Sequence, residues 1–301
     1  MTIRIGQLSD THFLEDGAEP EGGFAYDTGA AFHAVNAHIA SQPDLDLIVV
    51  TGDVADHGRP AQYRVAMEAL EQLPVPVMVT PGNHDQDAAF RVGLGATKVS
   101  TPRVVHRQNW CFVFVDSNAG VMVDDGTGHK VDPDYHDRLH RNGRLGSAES
   151  AWLRQVCAAT DAEHVFVWVH HPPKARVTMD NDTSYDAEWA ALLADLPIIR
   201  GIGAGHTHSP DTTELEGRPI YVCPSFKNNF DLDANTLLPP GWMSYGFEAD
   251  GTVSHVVHLV DDERWPRHPL PRSVVALLNG ELSNAEFQAI VDRKAKEAAN
   301  K

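Results

Sequence analysis

Short polar words recur along the chain: Asp10-Thr11-His12, Gly52-Asp53, Gly82-Asn83-His84-Asp85, His170-His171 and Gly205-His206-Thr207-His208. Apart from His171, their carboxylate, amide and imidazole groups suit a pair of hard-to-borderline metal ions. No thiolate is among them, which disfavours a structural zinc site. Two such ions held roughly 3.5–4 Å apart make a centre for in-line displacement at phosphorus.

The elements that must position these words are legible beside them. Ile3–Leu8 (IRIGQL) ends at Ser9-Asp10, and residues 47–50 (LIVV) end at Thr51-Gly52-Asp53. Residues 75–79 (VPVMV) run into Thr80-Pro81-Gly82-Asn83-His84, and residues 165–169 (VFVWV) into His170-His171. Residues 198–202, interrupted by Arg200 and Gly201, precede Gly205-His206-Thr207-His208. Short β-branched runs bounded by Gly and Pro read as buried strands. Every polar word thus follows a strand's C-terminal end, the edge of an open α/β sheet where ligands bind.

The words differ in information. Gly52-Asp53 alone is a common turn pair, and Asp10-Thr11-His12 alone reads equally as a helix cap with a surface histidine. Gly82-Asn83-His84-Asp85 is rarer. At average residue usage it arises by chance in roughly one in a thousand chains of this length, although an Asn turn capping the next helix would also use it. Gly205-His206-Thr207-His208 is intermediate. The joint order of all five carries the argument.

The chain has 301 residues and 42% hydrophobic content, enough for one core-forming domain and a small appendage. Its 42 acidic against 24 basic residues give a formal charge of −18, which argues against binding duplex nucleic acid. An acidic chain meeting an anionic phosphate needs cations, and two divalent ions supply them locally. Cys111, Cys157 and Cys223 form no CxxC pair and read as buried reduced thiols. No signal-peptide h-region precedes the first strand and no apolar run is long enough to span a bilayer, so a cytoplasmic protein without membrane attachment is expected.

Helices are expected over 27–41, 60–73, 85–92, 147–158 with Ser147 as cap, and 184–194. Residues 103–115 hold two strands, the second over 111–115. Residues 212–222, 243–248 and 252–259 read as antiparallel strands, with Asp250-Gly251 turning the last hairpin. Two segments look peripheral. Residues 118–142 are long and polar and carry His129, His136 and His140; such loops are functional lids or solvated surface, and solvation is the favoured reading of these histidines. Residues 261–301 begin as a Pro-rich linker and end in a helix over 283–299, whose sparse apolar face (Phe287, Ile290, Val291) would pack on the domain or on a partner subunit, making a homodimer.

With these words in this order, the chain resembles the calcineurin-like metallophosphoesterases. Within them it is most similar to the class III cyclic nucleotide phosphodiesterases and their glycerophosphodiesterase relatives. The resemblance spans roughly residues 3–260 and includes Gly52-Asp53-Val54-Ala55-Asp56, Asp116-Ser117, Gly143-Arg144-Leu145-Gly146 and His170-His171-Pro172-Pro173. It implies an α/β fold, a four-layer sandwich of two mixed β-sheets flanked by helices. The catalytic domain would be residues 1–260, with an insertion at about 118–142, followed by residues 261–301 as linker and helix.

The resemblance also implies a ligand set. One metal would take Asp10, His12, Asp53 and His208; the other Asp53, Asn83, His170 and His206, with Asp53 bridging. The ions would be divalent or mixed-valence iron, manganese or zinc. His84 would be a non-ligand near the leaving group, with Asn83 stabilising the phosphoryl oxygens and Asp56 orienting His84. His171 follows a ligand at strand spacing and so points to the opposite face; it reads as supporting a ligand or facing substrate. The residues 224–229 lie where relatives shape substrate binding, and Lys227 could meet a phosphate there. The implied activity is hydrolysis of a small phosphodiester, foremost a 3′,5′-cyclic nucleotide such as cAMP. A glycerophosphodiesterase, a nucleotide phosphomonoesterase, and a metal-binding regulatory module with little turnover are the alternatives.

Overall fold

Strands of alternating outward and inward apolar residues dominate the computed structural model. It describes residues 1–18, 25–42, 44–86, 89–90, 98–124, 130–131, 143–177, 183–265, 267–283, 286–287, 289–290 and 293. The chain opens with β1 (Ile3–Leu8), α1 (Thr28–Ala40), β2 (Leu47–Thr51), α2 (Pro60–Leu70), β3 (Val77–Thr80) and β4 (Val99–Ser100). It continues through β5 (Val104–Arg107), β6 (Trp110–Phe114), the small pair β7 (Val123–Asp124) and β8 (Lys130–Val131), α3 (Gly146–Ala159), β9 (His164–Trp168), α4 (Ser184–Asp195) and β10 (Ile199–Ala204). The rest comprises β11 (Asp211–Leu215), β12 (Arg218–Val222), β13 (Asn229–Asp231), β14 (Thr236–Leu238), β15 (Gly241–Phe247), β16 (Val253–Leu259) and α5 (Arg272–Leu278).

Two mixed six-stranded sheets result, ordered β16-β15-β1-β2-β3-β4 and β11-β12-β10-β9-β6-β5. Side-chain alternation sorts their residues into layers. Ile3, Ile5, Leu47 and Val49 meet Trp110, Phe112, Phe166, Trp168, Tyr245 and Phe247 in a core between the sheets. Their neighbours Ile48 and Val50 face α1 and α2, packing with Phe32, Val35, Tyr63 and Leu70. Val113, Val165 and Val167 face α3 and α4, packing with Leu153, Trp189 and Leu192. The order helix, sheet, sheet, helix is the four-layer sandwich expected from the resemblance.

Several local readings change. Ser147 does not cap α3: Leu145 holds that position, and the backbone N–H groups of Leu145 and Gly146 donate to the Glu188 carboxylate at 3.1 and 3.2 Å. Residues 212–222 form not one strand but the hairpin β11–β12, because Glu216 and Gly217 both take positive φ (49° and 69°), the geometry of a tight primed turn. Arg200 is left out of register by an irregularity between Ile199 and Gly201, so the interrupted run still pairs as β10. α5 forms where a linker was expected, anchored by Val274 and Leu278 against Leu237 and Leu270. Half of the expected helix over 85–92 and most of that over 283–299 lie outside the described residues, as do His129, His136, His140 and Val291.

Candidate metal centre

The parallel strands β1, β2 and β3 of one sheet and β9 and β10 of the other end at a common seam. Asp10, Asp53 and Asn83 reach it from the first sheet, and His170, His206 and His208 from the second. Sharp reversals deliver them. Asp10, His12, Asp53, His206 and His208 all take positive φ, between 43° and 71°. Non-glycine residues adopt this left-handed region at a cost, and it clusters where function demands a particular side-chain direction. Gly82 is required by proximity: a Cβ there would lie 2.2 Å from Asp53 Oδ1.

The imidazoles are oriented from behind. His12 Nδ1 donates to Asp56 Oδ1 at 2.8 Å, His170 Nδ1 to the Thr51 carbonyl at 2.7 Å, and His208 Nδ1 to Asn228 Oδ1. These oxygens only accept, so each ring must carry its proton on Nδ1 and turn Nε2 inward. Asp53 Oδ2 stands 3.6 Å from His12 Nε2 and 3.4 Å from His170 Nε2. His170 Nε2 also lies 2.8 Å from Asn83 Oδ1, and His208 Nε2 lies 3.2 Å from Asp10 Oδ1. Asp53 Oδ1 accepts the His84 backbone N–H at 2.9 Å.

Three groups of side chains gather ligand atoms within 4.8 Å of one another: Asp10, His12, Asp53 and His208; His170, His171 and His206; and His12, Asp56 and His84. The second group adds His171, whose Nδ1 pairs with Ser117 Oγ at 2.7 Å. These donors fit a cation. His12 Nε2 and His208 Nε2 face each other at 3.2 Å, two lone pairs that require a proton or metal between them. The buried Nε2 of His206 has no hydrogen-bond partner among the described residues.

Electrostatics divides the imidazoles. Burial lowers His12 to about 4, assisted by Lys227, and lowers His206 to about 3, assisted by His170. Burial would also lower His170, but Asp53 overrides it and raises the ring to about 9. His208 is raised likewise by Asp10 against its burial. Burial opposes ionisation of Asp10 and Asp53 as well, yet His208 holds Asp10 at about 2 and His170 holds Asp53 well below the usual range. The buried carboxylates therefore draw positive charge into the site, and a metal ion satisfies the same demand.

Asp56 acts differently from the expectation. Its carboxylate serves His12 and accepts from Lys227; His84 is instead held by the Asp56 backbone carbonyl, which accepts from His84 Nδ1 at 2.6 Å. Asp56 Oδ1 is taken up by His12 and Lys227 and Oδ2 lies 3.2 Å from His57 Nδ1, so His84 meets the main-chain carbonyl. Lys227 thus meets a carboxylate rather than standing alone to receive a phosphate. Sequence reasoning placed Asn228 only in a substrate-shaping stretch, not behind His208, and passed over the clamp at Asp85. The Asp85 carboxylate accepts from the N–H groups of Gly82, Val54 and Ala55 at 2.9, 3.2 and 3.2 Å and from Tyr63 Oη at 2.8 Å. The signal for Asp85 was present as the last letter of the Gly-Asn-His-Asp word; nothing local marked Asn228.

Above these groups opens a cavity of about 280 Å³, lined on one side by His12, Asp53, Asn83, His84, His206 and His208. No helix among the described residues is long and apolar enough to cross a membrane.

Comparisons with known proteins agree with this geometry. The family model described as calcineurin-like phosphoesterase matches residues 3–210. The 3′,5′-cyclic adenosine monophosphate phosphodiesterase CpdA of Escherichia coli (strain K12) is 28% identical over 275 residues, covering 87% of this chain and 92% of that protein. The glycerophosphodiester phosphodiesterase GpdQ of Enterobacter lignolyticus (strain SCF1) is 27% identical, covering 73% and 76%. Among solved structures, GAP50, the anchor in the inner membrane complex of Plasmodium, superposes with a TM-score of 0.55 at 14% identity, covering 89% of this chain and 88% of that one, a likeness of fold alone.

Proposed function

Because the chain belongs to the calcineurin-like phosphoesterase family, a family that uses a dinuclear metal centre, we propose that it hydrolyses a small phosphodiester, with a 3′,5′-cyclic nucleotide such as cAMP as substrate. The observation that carries this reading is the convergence of inward-facing imidazole Nε2 atoms on Asp53 Oδ2. In this reading Asp10, His12, Asp53 and His208 hold one ion and Asp53, Asn83, His170 and His206 the other. Iron, manganese and zinc all suit the donor set.

When bound, such ions lower the pKa of a water nucleophile and neutralise charge on the phosphoryl oxygens. The chain's own residues do the rest. Asp56, Thr51 and Asn228 fix the imidazoles so that the site is preorganised before substrate arrives. The Asn83 side chain lines the cavity and can donate its amide hydrogens to a phosphoryl oxygen. His84 also lines the cavity, with Nδ1 committed to the Asp56 carbonyl. Its Nε2 is therefore the atom that, in the imidazolium form, hands a proton to the departing alkoxide.

Glycerophosphodiester hydrolysis is the second reading, favoured by the similarity to GpdQ. The three cysteines are buried and unbridged, which fits a reducing compartment and a cytoplasmic enzyme. The test is turnover of bis(p-nitrophenyl) phosphate with and without added manganese, followed by a panel of cyclic nucleotides, glycerophosphodiesters and nucleoside monophosphates. Manganese-dependent diester cleavage with cAMP foremost is expected. Metal binding without turnover of any diester would instead leave a regulatory module.

A further inference from the structure

The cavity over the seam has two chemically different poles. One carries the imidazoles, Asp53, Asn83 and Lys227; the other is formed by Phe230, Val274, Leu277, Leu278 and Phe287. Apart from Phe230, every residue of the apolar pole comes from the chain beyond residue 270. The family match ends at residue 210, so this wall lies outside the matched stretch.

The wall is built, not incidental. Leu270, Val274 and Leu278 are buried in a cluster with Val177 and Leu237, while Phe230, Val275 and Phe287 pack at its margin. The backbone ties the segment down on β14: Leu237 N–H donates to the His268 carbonyl at 2.9 Å, and Leu270 N–H to the Asn235 carbonyl at 2.8 Å. Val274, Leu277 and Leu278 share one helical face at three- and four-residue spacing. Leu277 and Phe287 stay half-buried rather than buried, because their remaining surface borders the cavity. Phe230 links the poles: its N–H donates to the His208 carbonyl at 2.7 Å, and its ring stacks on the His208 imidazole with centroids 6.5 Å apart.

We propose that this C-terminal wall is the specificity element of the site, selecting phosphodiesters whose organic part ends in a planar, weakly polar ring, such as the base carried by the ribose of a cyclic nucleotide, over diesters with polar glycerol or choline-like groups. The inference rests on the phosphodiesterase reading. It decides between its two substrate classes, because a diester seated with its phosphate at the imidazole pole must place its organic group against Leu277, Leu278 and Phe287. A hydrated glycerol or ammonium group would be desolvated there without a partner, whereas a base face gains from burial.

The experiment compares L277S and F287A with the unaltered full-length, manganese-loaded chain. Both positions are half-buried, and F287A, at the margin of the cluster, covers the case in which L277S does not fold. Two readouts are taken: the ratio of kcat/KM for cAMP to that for glycerophosphoethanolamine, and the equilibrium affinities for AMP and for inorganic phosphate. The unaltered chain is expected to favour cAMP and to bind AMP about tenfold or more tightly over phosphate, with both preferences falling at least about tenfold in either variant, through KM rather than kcat. Equal affinity for AMP and phosphate in the unaltered chain, or unchanged ratios in the variants, would overturn the wall. If no diester is turned over, the phosphodiesterase reading fails by itself, and the binding arm still decides whether the wall holds a base.

Discussion

Asp56 Oδ1 lies 2.8 Å from His12 Nδ1, and the same oxygen closes on the Lys227 ammonium, so one buried carboxylate both aims the His12 imidazole into the site and neutralises Lys227. Asp56→Ala removes the acceptor and leaves Lys227 facing the site without its anion. Manganese affinity is expected to fall about 10–100-fold, as for other residues that orient a ligand. His84 keeps its backbone acceptor in this variant, so KM should respond less than metal affinity. A competition titration against a fluorescent chelator measures the first quantity; an unchanged dissociation constant would show that His12 needs no such support.

Metal stoichiometry follows from the position of Asp53 between His12 and His170. Two transition-metal ions per chain are expected by elemental analysis of protein purified without chelator. Asp53→Asn should abolish diesterase activity and weaken both sites together, since a neutral amide bridges two cations poorly. Loss of only one ion from this variant would mean that Asp53 is not shared.

His84→Ala should lower kcat by about 10²–10⁴-fold on cAMP with two metals retained, the usual range for losing a general acid. The loss should shrink on bis(p-nitrophenyl) phosphate, whose phenolate leaves without protonation. An equal loss on both substrates would sink the proton-donor role and point to binding instead.

Asp85 is buried among four donors, the N–H groups of Gly82, Val54 and Ala55 and the Tyr63 hydroxyl. Asp85→Asn turns an amide NH₂ against donors and leaves part of that set unsatisfied. A loss of about 2–4 kcal/mol in unfolding free energy is expected from urea titration, accompanied by weaker metal retention because the Gly82-Asn83 loop is freed. A variant within about 0.5 kcal/mol of the parent would show that the loop is held by other contacts.

Metal binding should release protons. In chelator-stripped protein His170 is raised to about 9 by Asp53 despite burial, so at pH 7.5 it carries a proton that a metal must displace. The sign is that of a base whose folded pKa exceeds its unfolded value. Its stabilisation of the stripped fold is complete below about 6.5 and is lost as pH rises through about 9, while apparent metal affinity climbs over the same window. Calorimetry in two buffers of different ionisation enthalpy gives the proton count, and binding without proton release would contradict the charge balance described for the site.

The sequence by itself determined which candidate groups gather at the seam and the strand ends that present them. Each polar word follows directly on an apolar run, and a strand with the turn that ends it is a local decision of side-chain type and glycine. The sandwich itself followed from the family resemblance of those ordered words: a run such as residues 165–169 is apolar at every position, which marks a strand buried on both faces but does not say which sheet it joins. What surrounds the site was decided by tertiary structure. Asp56 turns to His12 and not to His84, Asn228 stands behind His208, and Lys227 reaches across 171 positions to Asp56, since orientation depends on partners that only folding brings together. The α5 wall was hidden for the same reason: a helix of 7 residues has almost no periodic signal, and its apolar face acquires meaning only when β13 and β14 dock it over the seam of candidate ligands.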